Sequence, residues 1–101
     1  MFEHTRGDDF SKAGVFRNSK TRLPIDLSDM EVFARVETPD QSWSEDLVAT
    51  KLDQASNTGG VVVASSASTD DWPIGTLRLV VWRVIDGKKR SLKSRNFSVV
   101  A

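Results

Sequence analysis

The stretch Ser68-Thr69-Asp70-Asp71-Trp72-Pro73-Ile74-Gly75-Thr76-Leu77-Arg78-Leu79-Val80-Val81-Trp82-Arg83-Val84-Ile85-Asp86-Gly87 decides the fold. A polar cap, a tryptophan-proline turn and a glycine feed the longest apolar run of the chain, and Asp86-Gly87 ends it with a hairpin signal. Periodicity alone does not settle residues 77 to 85, because Leu77, Val80, Val81 and Val84 would also form a helical stripe. Composition does: β-branched and aromatic residues dominate, and they favour a pleated strand. Leu77, Leu79, Val81 and Ile85 then lie on one face and Val80, Trp82 and Val84 on the other. A sheet strand with one wet side keeps only one such face dry. The second apolar face therefore reads as a candidate interface, Val80, Trp82 and Val84 with the neighbouring Arg83. Trp72, Pro73 and Gly75 read as a structural corner that turns the chain into the strand.

Working outward, Met30, Val32, Ala34 and Val36 alternate with Glu31, Arg35 and Glu37, the pattern of a half-buried strand over 30 to 37, with Phe33 turned outward. Thr38-Pro39-Asp40-Gln41-Ser42 is a turn by composition, and residues 43 to 52 supply the hairpin partner. Asp53 to Gly60 reads as a loop and 60 to 65 as a β-branched strand. Strands are also expected at 7 to 11, after a frayed start, and at 89 to 100, with a loop over 17 to 24. Val32, Ala34, Val36 and Leu79 are predicted in the core. Six to seven short strands with no amphipathic helix predict an all-β, antiparallel β-sandwich or small barrel, one domain over 1 to 101.

Composition narrows function. The chain has no cysteine, so no disulfide framework and no thiolate zinc site is expected. No apolar run approaches the roughly 18 residues of a membrane span, and the N-terminal residues lack a signal-peptide pattern, so no membrane partner is expected. Fourteen basic and fourteen acidic residues cancel, which argues against general attraction to nucleic acid. Lys88-Lys89-Arg90 with Lys93 and Arg95 is one basic cluster, better read as hairpin charge that keeps an edge from mispairing. His4 is the sole histidine and no partner for acid-base work is evident, so no catalytic residue and no enzyme activity are expected. The pairs Asp8-Asp9, Glu45-Asp46 and Asp70-Asp71 lack the spaced loop of a calcium site, so no metal and no cofactor are expected. Thr69 and Asp70 are read instead as capping a turn ahead of Trp72.

Three pieces carry a family resemblance: Arg6-Gly7-Asp8-Asp9-Phe10, Pro24-Ile25-Asp26-Leu27-Ser28-Asp29-Met30-Glu31-Val32, and Thr69 to Leu77 with its tryptophan-proline and glycine. Together they resemble the immunoglobulin-like domain of bacteriophage tail and baseplate proteins, notably the N-terminal domain of the baseplate upper protein family. Asp29 and Asn96 stand where that pattern has glycine, and no aspartate follows Leu79. The resemblance implies an immunoglobulin-like sandwich acting as a structural part of a phage or prophage tail. Its partners would be other tail or baseplate proteins or further copies of itself, and its location the virion, after synthesis in the bacterial cytoplasm. The alternative is a module that binds bacterial surface glycan, which exposure of two or more of Trp43, Trp72 and Trp82 on one face would favour.

Overall fold

The computed structural model describes residues 2–18, 20–52, 54 and 59–101. They form eight strands: β1 (Phe2–Thr5), β2 (Phe10–Val15), β3 (Glu31–Glu37), β4 (Ser44–Lys51), β5 (Val61–Ser66), β6 (Gly75–Ile85), β7 (Lys88–Ser91) and β8 (Arg95–Val100). No helix occurs among the described residues. The strands run in the order β1-β8-β6-β3-β4-β5-β2, with β7 also paired to β6. The sheet is mixed and nearly barrel-shaped. Its fold line is β4, whose first half, Ser44 to Leu47, pairs with β3, whereas Val48 to Lys51 pair with β5.

Side-chain alternation builds the interior between the two halves of the sheet. In β6, Leu77, Leu79 and Val81 are buried while Arg78, Val80 and Trp82 are only half-buried. In β3, Ala34 and Val36 are buried and Val32 packs against the same cluster. In β4, Leu47 and Ala49 turn toward the core, as does Trp43 just before the strand, leaving Val48 exposed. Trp72 has no exposed surface and lies among Phe10, His4 and Phe97, with ring centroids 5.1, 5.3 and 6.2 Å away. Burying an aromatic ring of this size is among the largest contributions one residue makes to a small domain.

Five expectations need correction. The N-terminal residues are not frayed: β1 pairs in parallel with β8, so the sheet is not wholly antiparallel. The next strand runs from Phe10 to Val15, not 7 to 11, because residues 6 to 9 form the turn that brings it back. The final strand is broken in two. Leu92, Lys93 and Ser94 oppose only Val80 and Val81 on β6, a β-bulge that offsets the register of β7 from that of β8. Eight strands therefore replace the expected six or seven. Of the loop expected at 53 to 60, residues 53 and 55–58 lie outside the described residues, as does residue 19 of the loop at 17 to 24. Gln54 serves as a local clamp, its Oε1 accepting from the Leu27 and Gly60 amides at 2.9 Å each.

Candidate functional site

The outer face of β6 and β3 gathers the side chains that alternation turns away from the core. Register places Phe33 opposite Trp82, Arg35 opposite Val80, and Glu37 opposite Arg78. The Phe33 and Trp82 rings stack, with centroids 5.6 Å apart and planes 20° from parallel. Two cations flank the indole: the Arg35 guanidinium at 5.4 Å and the Lys89 ammonium at 4.5 Å from its centroid. Such contacts attract the charge to the ring quadrupole and hold the long side chains over apolar surface. Phe33 remains 38 % exposed.

Beside this pair lies an ion network. Glu37, only 4 % exposed, receives Arg78 at 3.4 Å and Arg35 at 3.7 Å. Arg35 therefore bridges the carboxylate and the Trp82 face. The face presents an aromatic and aliphatic centre, Phe33, Trp82, Val80 and Val84, bordered by fixed charge. That composition suits contact with another protein surface, where aromatic residues and arginine are enriched.

The structure brings together Val80, Trp82 and Val84 but not Arg83. Odd-numbered Arg83 turns to the other side, where its guanidinium covers the buried Phe16 ring at 4.9 Å. The candidate interface thus exchanges Arg83 for Phe33 and Arg35. Phe33 taken as a lone outward aromatic gives no such signal, because its partner is set by strand register, and register depends on the whole sheet.

At the corner, the Trp72 amide donates to the Thr69 carbonyl at 3.2 Å and the indole Nε1 donates to Glu45 Oε2 at 2.7 Å. Pro73 is half-buried and Gly75 takes φ +122° as the chain enters β6. Thr69 is itself buried, and its hydroxyl ties the corner to the turn between β1 and β2. It donates to the Asp8 carbonyl at 2.7 Å and accepts from the Gly7 amide at 2.8 Å. With its single proton committed to Asp8, the hydroxyl can only accept from His4 Nε2 at 3.1 Å, which fixes the proton on that nitrogen. The histidine is thus a held part of the corner, and the hydroxyl beside it is shielded from solvent. Of the three tryptophans, Trp72 is buried, Trp43 packs edge-on against it at 6.4 Å, and only Trp82 belongs to the outer face. No two tryptophans form an exposed platform.

Among the described residues, no group of three or more histidine or carboxylate side chains is placed to hold a metal ion. The basic cluster is divided by the bulge: Lys89 sits over Trp82, whereas Lys93 and Arg95 border a cavity on the opposite side of the sheet. Comparison with models of known protein families and with curated proteins finds no match.

Proposed function

We propose that this chain is a structural, non-enzymatic immunoglobulin-like β-sandwich module of a bacteriophage or prophage tail or baseplate. It works by assembly with other tail proteins or with copies of itself, in the virion. The observation that carries this reading is the stacked Phe33–Trp82 pair on the outer face of β3 and β6, with Val80 and Val84 beside it. An aromatic pair fixed by strand register is rigid, so docking a partner on it orders little that is not already ordered. The fold-over at β4, which sets two layers against one core, accords with a sandwich of this type, as do the three family-like stretches of sequence.

The test is incorporation. Val80→Arg and Phe33→Glu change outward side chains only, so both variants should fold. If this face makes the contact, they should fail to enter tail particles or to associate in light scattering across a concentration series. Variants that assemble like the wild type would overturn the reading. Binding of the wild type to a bacterial glycan, lost on Trp82→Ala, would favour recognition of surface sugar instead.

A further inference from the structure

The two ends of the sheet meet along a seam. Its upper part is closed by side chains, with the Phe2 and Phe10 rings 6.3 Å apart. Lower down, β1 no longer lies between β2 and the bulge, because it runs only beside Phe97 to Val100. A cavity of about 420 Å³ opens there. Its floor is apolar, formed by Phe2, Leu79, Val81 and Leu92, and its far rim carries Lys93 and Arg95. The near wall is the edge of β2.

That edge carries unused backbone groups, as the register shows. The Phe16 amide donates to the Gly60 carbonyl across from it, so in an antiparallel ladder Phe10, Lys12 and Gly14 direct their N–H and C=O groups at β5. Ser11, Ala13 and Val15 therefore point theirs away, into the seam. Among the described residues β2 pairs with β5 alone. An open edge beside an apolar groove is the arrangement that accepts an added strand.

Charge selects the strand. Lys12 turns inward at this edge, its ammonium 4.2 Å from the centre of the Phe2 ring. No carboxylate lines the cavity, and neither Lys12, Lys93 nor Arg95 makes an ion pair among the described residues. A second copy offering its own β2 would bring these cations against their equivalents, which disfavours self-pairing. The geometry points to an extended, acidic segment of a partner protein that adds as a strand to β2. Its backbone would pair with Ser11, Ala13 and Val15, and its inward-facing side chains would be apolar over Leu79, Val81 and Leu92 and acidic beside Lys12 and Arg95, both of which lie on the inner face. Lys12 then acts as a filter, rejecting neutral or basic strands that the bare edge would accept. This site is separate from the outer face of β3 and β6, and stands or falls independently of it.

The probe is a short blocked peptide whose every second residue alternates valine and glutamate, with serine between, so that one face carries both; the control replaces its glutamates with lysine, and each is titrated into isotopically labelled full-length protein. Expected are saturable shifts at Ala13, Val15 and Leu92, slowed amide exchange at Ser11, Ala13 and Val15, and binding of the control weaker by about tenfold or more, because like charge is repelled from this rim. Ala13→Pro removes an amide that β5 does not use, so the fold should survive and binding should be lost. Lys93→Glu combined with Arg95→Glu alters the opposite, exposed rim and should weaken binding comparably, keeping the test valid if the proline variant misfolds. Absence of saturation, equal binding of the two peptides, or unaltered binding by a folded Ala13→Pro protein would each overturn the proposal. Decanoate binding in the cavity while the glutamate peptide does not bind would likewise replace it, with a small-anion site.

Discussion

The indole nitrogen of Trp72 donates to the Glu45 carboxylate at 2.7 Å, joining the turn before β6 to the first half of β4. The ring is buried while its one polar atom reaches a half-buried acceptor, so the indole meets no desolvation penalty. Trp72→Ala should cost about 3 to 5 kcal/mol, a large share of a small domain's stability. Trp72→Phe keeps most of the apolar volume and loses the bond, so it should cost less, about 1 to 3 kcal/mol. Urea titrations of the two variants give the comparison, and equal midpoints for Trp72→Ala and wild type would show that the corner is not part of the folding unit.

Asp40 accepts from the Ser42 amide at 3.0 Å and from the Thr38 and Ser42 hydroxyls at 2.7 and 2.8 Å. These bonds favour the ionised carboxylate and lower its pKa to about 2, the Ser42 amide being the largest cause. A depressed folded-state pKa means that the proton prefers the unfolded turn. The contribution is therefore present above the ordinary carboxylate range, near 3.8, and is lost as pH falls toward about 2. The Ser42 amide resonance, followed from pH 5 downward, should titrate in that window and stay flat in Asp40→Asn. A midpoint at the ordinary carboxylate value would contradict the geometry.

Two glycines with positive φ should respond differently to alanine. At Gly60, φ is +78° and an added Cβ would stand 2.5 Å from the Phe16 carbonyl oxygen, a backbone atom that cannot easily move. At Gly75, φ is +122° but nothing lies within 4 Å of the added carbon. Gly75→Ala should therefore show conformational strain alone, about 1 to 3 kcal/mol, and Gly60→Ala strain plus a clash. Thermal melts of the pair should rank Gly60→Ala clearly lower.

The central strands were readable because their signals are local. Residues 30 to 37, 43 to 52, 60 to 65 and 76 to 85 match β3, β4, β5 and β6 within a residue at each end, since each combines alternation with β-branched content. What escaped reading depends on distant partners. Phe2 to Thr5 is too short to announce a strand, and becomes one through β8, more than ninety residues away along the chain. Lys12-Ala13-Gly14 has weak strand preference, and the bulge at 92 to 94 exists only relative to β6. The same divide holds for the sites. Trp72 and the outward face of β6 follow from spacing, whereas the Phe33–Trp82 pair and the seam cavity follow from register and closure.

The placement of β8 between β1 and β6 has a consequence for biosynthesis. A ribosome delivers Phe2–Thr5 well before Arg95–Val100, yet among the described residues β1 pairs with β8 alone. Residues 2 to 5 must wait unpaired until β8 is made, and Phe97, fully buried beside Phe2 and Phe10, reaches its place only after residues 2 to 96 have left the exit tunnel. Release of a nascent chain stalled before residue 95 should leave a protease-sensitive, aggregation-prone species, because the ring cluster around Trp72 would still lack one wall.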